Sequence, residues 1–437
     1  MTIPVRDRPD ACPGALRTHR AADGLLVRLR LPGGRLSAAS ARGLAEAAQR
    51  HADGAVHLTS RGNLQLRGVR EVDGGADPAL VAAVRACGLL PSPTHELVRN
   101  VVASPWSGRR GGLLDVEPVV AEVDHALCAD AALVELPGRF LVALDDGTGD
   151  VAGVDADVTW WAQDSRSGAL VVGGHDTGLR VGPDRVAPVV AGVAHAFLDA
   201  RAAAGGSAWH VAELPGGAAA FGETVAAILA STSVSGLRAK DERLQPPAAP
   251  AGLSALGTLA QDDGRFAVAA LVPLGRLSAD AVRLLADAAE LSGGRVVVTP
   301  WREVVVPDVA RHEVAAVERL VAAAGLVTDA ASPWRNVSAC VGQPSCARAL
   351  ADVRKVAAET VAAVSESDAA SPRLHFAGCE RRCGRPASAH REVVAQPTGY
   401  SVADVGPAVA DGDRGRRPAS KAPHIAAVVG SISSEEP

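Results

Sequence analysis

The chain has 437 residues, 48% of them hydrophobic, which is more than one ordinary core can use and predicts two to four packed units. A net charge of −5 supplies no broad basic field, so neither nucleic acid nor an anionic membrane surface is an expected partner. The opening MTIPVRDRPDACPG lacks a basic stretch followed by an apolar one, and no window approaches the roughly 18 uncharged apolar residues of a spanning helix, so a cytoplasmic protein is expected.

In chain order, the alternation from Leu25 to Leu31 predicts a strand. It leads through Gly34-Arg35-Leu36-Ser37 into a helix over SAASARGLAEAAQRHA, with Ser37 as its cap. The short strands AVHLTS and NLQLRGV follow, and then Val98-Arg99-Asn100-Val101. The second half repeats this order: FAVAALV, then Gly275-Arg276-Leu277-Ser278, a helix over SADAVRLLADAAELS, the strands RVVVTP and EVVVP, and Trp334-Arg335-Asn336-Val337. The offset is 241 between Gly34 and Gly275, 240 between Thr59 and Thr299, and 236 between Arg99 and Arg335, so the chain is an internal duplication.

Each copy reads as an α+β unit, with helices on one face of a mainly antiparallel sheet. The Pro/Ala-rich run from Gln245 to Pro250 can neither continue a helix nor join a central strand, so it reads as the linker between halves. The expected divisions are 15–92 and 251–330 for two small units, 93–244 and 331–405 for the larger unit after each, and 406–437 for a loosely held tail.

Seven cysteines in a chain without a secretion signal argue for thiolate ligands or free thiols over a disulfide scaffold. Four form two tight pairs, Cys340 with Cys346 and Cys379 with Cys383, both in the second copy only, with a helix-like segment starting near Cys346 between them. Four thiolates suit an iron–sulfur cluster or a tetrahedral zinc. The five-residue gap in the first pair fits a zinc knuckle poorly, and Gly342, Gly378 and Gly384 would let backbone N–H groups approach a bulkier cluster. An unligated set of buried thiols is the third reading. Cys12, Cys87 and Cys128 read as structural or incidental.

The C-x5-C and C-x3-C pairs, with Thr59-Ser60-Arg61-Gly62-Asn63-Leu64-Gln65-Leu66-Arg67-Gly68-Val69 and Val98-Arg99-Asn100-Val101, resemble the motifs of the siroheme sulfite/nitrite reductase superfamily from about residue 20 to 405. The resemblance implies a pseudo-two-fold duplication of a ferredoxin-like half domain followed by a larger reductase-type α+β domain. It also implies a [4Fe–4S] cluster on Cys340, Cys346, Cys379 and Cys383. Where the reductases carry two lysines after Leu-Pro, this chain reads Leu136-Pro137-Gly138-Arg139-Phe140-Leu141, so one of two cations is replaced by a leucine. Glu380-Arg381-Arg382 also departs from the reductases' small neutral spacer.

With Ala11-Cys12-Pro13-Gly14, Pro32-Gly33-Gly34-Arg35-Leu36 and Asp145-Asp146-Gly147-Thr148-Gly149-Asp150-Val151, these departures resemble the precorrin-3B synthase branch. That resemblance implies O2-dependent hydroxylation of precorrin-3A with γ-lactone formation, in which the tetrapyrrole is substrate and siroheme is not the prosthetic group. It implies Arg61, Arg99 and Arg139 as catalytic residues and, with Arg67, as the cradle for substrate carboxylates. A mononuclear non-haem iron is implied as well, with His57, His375 and His390 as candidate ligands. No G-x-G-x-x-G follows a strand, so electrons would come from a separate reductase or ferredoxin. A siroheme-dependent sulfite or nitrite reductase and a non-catalytic four-cysteine metal or electron-transfer protein stand as alternatives.

Overall fold

The computed structural model describes residues 10–231, 237–240, 242–248, 255–363, 373–386, 388–406 and 416–418. Residues 249–250 of the expected linker and most of the expected tail lie outside them.

The first half runs β1 (His19–Ala21), β2 (Gly24–Leu29), β3 (Arg35–Ser37), α1 (Ala38–His51), β4 (Ala55–Leu58), β5 (Leu64–Val69), a ribbon of β6 (Glu71–Val72) and β7 (Gly75–Ala76), and α2 (Pro78–Ala86). Its larger unit adds β8 (Val101–Ala103), α3 (Glu117–Ala129), β9 (Val142–Asp145), β10 (Val158–Asp164), β11 (Ser167–Val172), β12 (His175–Val181), α4 (Val186–Ala203), α5 (Gly217–Ser231) and β13 (Leu237–Ala239). The second half repeats the small unit as β14 (Gly257–Ala260), β15 (Phe266–Leu271), β16 (Arg276–Ser278), α6 (Ala279–Glu290), β17 (Arg295–Val298), β18 (Glu303–Val309) and α7 (Val314–Ala323). It ends with β19 (Val337–Ala339), α8 (Val353–Ala363), β20 (Leu374–Ala377), β21 (His390–Gln396), β22 (Gly399–Val405) and β23 (Arg416–Pro418). Helices α1 and α6 both start where their serines predict: Ser37 accepts the Ser40 N–H at 3.0 Å and Ser278 the Ala281 N–H at 3.1 Å.

The two small sheets are completed by exchange. One has the order β1-β2-β5-β4-β16 and the other β14-β15-β18-β17-β3, so each copy lends its short Arg-Leu-Ser strand to the other's sheet. Arg276 pairs with His57 and Leu277 with Val56; reciprocally, Val296 pairs with Leu36 and Val297 with Arg35. The exchange explains a glycine that the repeat retains. Gly34 has φ +72°, and a Cβ there would lie 1.9 Å from the Val298 carbonyl oxygen of the other copy, so only glycine admits the approach. Helices α1 and α6 share the core between the sheets, with Leu44, Ala45 and Ala48 of α1 and Ala286, Ala288 and Ala289 of α6 wholly buried against Val27, Leu64, Val268 and Val304.

The larger units are mixed sheets, β13-β12-β11-β10-β9-β8 and β19-β20-β21-β22-β23, in which β8-β9-β10 and β19-β20-β21 run parallel. Two expectations need correction. The stretch Pro183–Ala203 is long and apolar enough to cross a membrane; here it supplies α4, whose Val186, Val189, Val190, Val193 and Phe197 are buried against Phe140 and Phe221. The helix placed at Cys346 begins instead at Val353, because Asp352 accepts the N–H groups of Arg354 and Lys355 and so caps it there.

Candidate functional site

The thiols lie on turns at the ends of two parallel strands. Cys340 follows β19, with its N–H bonded to Phe376 O of β20 at 2.9 Å, and Cys379 and Cys383 lie in the turn directly after β20. The Gly378 N–H donates to Cys340 Sγ at 3.1 Å, and a Cβ on Gly378 would lie 2.8 Å from Ala349 Cβ, so the turn closes this tightly only with glycine. Leu350 N–H bonds Gly378 O at 2.8 Å, tying the Cys346 segment to the same turn. Burial, with the charges of Cys383 and Cys346, pushes the Cys340 thiol up. All are free thiols, with Cys383 exposed and the other three half-buried. Four soft donors on adjacent turns, one already accepting a backbone N–H, fit a cubane cluster.

The small sheet of the first copy presents its outer face to these turns. Inward positions Leu25, Val27 and Leu29 feed the core, so Arg28 faces out, and cross-strand registers place Arg28, Gln65, His57 and Arg276 in one row over β2, β5, β4 and β16. Next to Gln65 on that face, Arg67 donates to Ser345 O at 2.8 Å, within the Cys340–Cys346 segment. Arg354 of α8 faces the same surface; burial, with Arg276 and Arg67 nearby, lowers it to about 10. The matching row of the other copy is Ala269, Val305, Val297 and Arg35. Its middle is apolar and packs against Trp106, and the space at its Arg35 end has closed to a cavity of about 10 Å³ beside Ser104 and Val297. Two homologous surfaces have thus diverged, and only the one against the cysteines is ionic.

The arginines singled out by motif separate into three settings. Arg61 and Arg139 come together, Arg61 donating to Arg139 O at 2.7 Å, while Arg139 stacks 5.0 Å over the Trp209 ring. Arg28 and Arg30 join them through Cys12, whose Sγ lies 3.4 and 3.8 Å from the two guanidinium groups. Burial lowers Arg61 and takes Arg30 to about 10. Arg30 is anchored on the carbonyls of Leu97, Pro13 and Gly138. Arg67 is held on Asp23 by two 3.0 Å bonds. Arg99 is elsewhere: it forms two 2.7 Å bonds with Asp124 of α3 and lines two adjoining open grooves of about 330 and 430 Å³. Leu141 is buried with Val102, Ala143 and Ala156, so the position held by a second cation in the reductases belongs to a core. Sequence reasoning missed Arg28, Gln65, Arg276 and Arg354. The first two could have been found by asking where the repeats differ in polarity, since Arg28 answers Ala269 and Gln65 answers Val305.

The histidines do not meet as one set. His57 Nε2 is 2.9 Å from Asp53 Oδ2, which fixes Nε2 as the donor and leaves the buried Nδ1 an acceptor without a partner. His375 and His390 are side by side on the sheet that carries the cysteine turns, with ring centroids 6.2 Å apart. Among the described residues the only three-member group of His, Cys, Asp or Glu side chains with ligand atoms mutually within 4.8 Å is Asp145, Asp146 and Asp150, so the three histidines do not fit one mononuclear iron. Burial, with His390 and Arg302, lowers His375 to about 4. The unfolded chain takes up a proton at this residue near pH 6.5, whereas the fold resists it until about pH 4. Stability is therefore expected to fall as pH drops through that window, by roughly 3 kcal/mol in all. Urea unfolding of the wild type and His375→Asn across this range checks it; equal slopes would rule out His375 as the source.

A model of the nitrite/sulfite reductase ferredoxin-like half domain matches residues 17–73 and again 259–324, the two small units just described. The chain is built on two such half domains. A precorrin-3B synthase of Sinorhizobium sp. is 24% identical over 411 residues, covering 90% of this chain and 82% of that protein. A chloroplastic ferredoxin–nitrite reductase of Zea mays is 27% identical over 410 residues, covering 82% of this chain and 67% of the plant protein. The solved structure of the Mycobacterium tuberculosis NirA protein superposes with a TM-score of 0.71 at 21% identity, over 91% of this chain and 77% of that one. The fold is therefore the nitrite/sulfite reductase fold, with its half domain present twice, and the chain resembles precorrin-3B synthase over nearly its whole length.

Proposed function

We propose that the chain is an iron–sulfur oxidoreductase that binds a poly-carboxylate tetrapyrrole on the ionic face of its first half domain and converts precorrin-3A to precorrin-3B with O2. The observation that carries this reading is the row Arg28, Gln65, His57 and Arg276, which crosses four strands and therefore spans about 14 Å at ~4.8 Å per strand. That is the scale of a macrocycle with its acid arms. Guanidinium groups at both ends, with Arg61 and Arg139 near Arg28, Arg354 near Arg276 and Arg67 flanking the row on β5, suit ionised acetates and propionates. His57 Nδ1 is an acceptor among donors, positioned by Asp53.

Cys340, Cys346, Cys379 and Cys383 would hold the [4Fe–4S] cluster, which when bound supplies electrons one at a time. The overall chemistry adds one oxygen atom to the ring as a hydroxyl while an acetate oxygen adds to the neighbouring ring carbon. The second atom of O2 leaves as water, with two electrons from a separate reductase or ferredoxin and two protons. The buried Leu141 favours this reading over siroheme-dependent reduction of sulfite or nitrite, because such a site needs the missing cation to neutralise a small anion.

Equilibrium binding of uroporphyrin, an octacarboxylate tetrapyrrole, tests the face. Arg28→Ala and Arg276→Ala should each weaken it about 10- to 100-fold, whereas Arg35→Ala on the matching row should not. Equal losses from all three would sink the assignment, as would near-stoichiometric siroheme in the purified protein together with sulfite or nitrite turnover.

A further inference from the structure

The duplication extends to the cluster turns themselves. In the second copy, Cys340 follows β19, its N–H bonds Phe376 O at 2.9 Å, and its Sγ accepts the Gly378 N–H at 3.1 Å. In the first copy, Ser104 follows β8, its N–H bonds Leu144 O at 3.1 Å, and its Oγ accepts the Asp146 N–H at 3.1 Å. Ser104 is thus the counterpart of Cys340, and the turn after β9 is the counterpart of the Cys379–Cys383 turn. Where that turn carries sulfur, this one carries Asp145, Asp146 and Asp150.

These carboxylates converge. One oxygen from each lies within 4.8 Å of the others, Asp145 and Asp146 are wholly buried, and Asp150 is half-buried. Asp145 is fully used by backbone: Oδ1 accepts the N–H groups of Gly147 and Gly149, and Oδ2 those of Val151 and Ala152, all at 2.8–2.9 Å. Asp150 Oδ1 accepts the Ser104 hydroxyl at 2.6 Å. Asp146 Oδ1 accepts the Thr148 N–H and hydroxyl, while its Oδ2 has no partner although the residue is completely enclosed. Among the described residues no cationic side chain pairs with any of the three. Buried negative charge held this close without a counter-charge is costly. Burial, with the charge of Asp145, accordingly pushes Asp150 up to about 7.

We propose that Asp146 and Asp150, backed by the charge of the backbone-held Asp145, form a binding site for a hard divalent cation, in the first copy's counterpart of the thiolate turn. Oxygen-only donors select ions of the magnesium, manganese and calcium class over the soft metals that the cysteines would take. The duplicated turn would then hold two different inorganic guests, each chosen by its donor atoms. The site is separate from the ionic row, so it stands or falls independently of the proposed activity.

Manganese(II) titrated into the cluster-loaded full chain, after removal of divalent ions, provides the test, with EPR counting the free ion. One equivalent should vanish from the free-ion signal, and calcium(II) should restore it by competition. Asp146→Asn and Asp150→Asn should each weaken binding by about tenfold or more, with the cluster absorbance unchanged. Each substitution removes a repelling charge without changing shape, so both variants should melt in EDTA no lower than the parent, which separates lost binding from lost folding. A free-ion signal undiminished at millimolar manganese would overturn the proposal, and so would variants that bind as the parent does.

Discussion

Cys383→Ser is expected to strip the chain of most of its iron and acid-labile sulfide when both are assayed after anaerobic purification. Serine preserves the size of the turn, but its oxygen is a harder and less readily ionised donor than the thiolate. The exposed position of Cys383 means that the substitution disturbs no core packing. Cys340→Ser should lose as much metal and some stability besides, because Cys340 Sγ also takes the Gly378 N–H. Cys12→Ser, outside the set, should keep full iron. Retention of iron and sulfide by Cys383→Ser or Cys340→Ser would remove that residue from the ligands, and zinc in place of iron in the parent would end the redox reading.

The second large effect concerns the two halves as separate chains. Residues 10–248 alone would lack β16 and the α6 surface, and residues 255–406 alone would lack β3 and α1. Each would expose an open sheet edge and a stripe of buried alanine, leucine and valine, including Leu44 and Val27 in one and Leu285 and Val268 in the other. Neither half is expected to give a cooperative thermal transition, while mixing them should restore one. A half that melts cooperatively as a monomer would show that the exchanged strands are dispensable. On a smaller scale Gly34→Ala should destabilise the whole chain, since the added methyl meets the Val298 carbonyl.

Much of this is legible in the sequence because it is periodic or local. Apolar alternation from Leu25 to Leu31 and the apolar run from Phe266 to Leu271 locate the second strand of each small sheet, and Ser37 and Ser278 mark where helices begin. The cysteine pairs stand out because two short spacings occur in one copy only. Two misreadings have different causes. Pro183–Ala203 is itself long and apolar, and only its burial in the first larger unit shows it to be a core helix. The helix after Cys346 reads as starting too early because a capping side chain outside the periodic stretch, Asp352, decides where it begins.

The arginines are legible as residue types but not as a site. Arg61 and Arg99 occupy comparable motif positions, yet Arg61, in the turn between β4 and β5, meets Arg139, while Arg99, just before β8, turns to Asp124 of α3. By itself the sequence determined the duplication, the two half domains, the starts of α1 and α6 and the quartet of candidate thiolates, because all of these depend on spacing along one chain. Only the tertiary structure decided that β3 and β16 change places, that Arg276 completes the first copy's ionic row, and that Ser104 and three aspartates stand where the other copy has sulfur. Those facts arise from strand register and parallel pairing between residues more than thirty positions apart, which the order of residues does not contain until the sheets close.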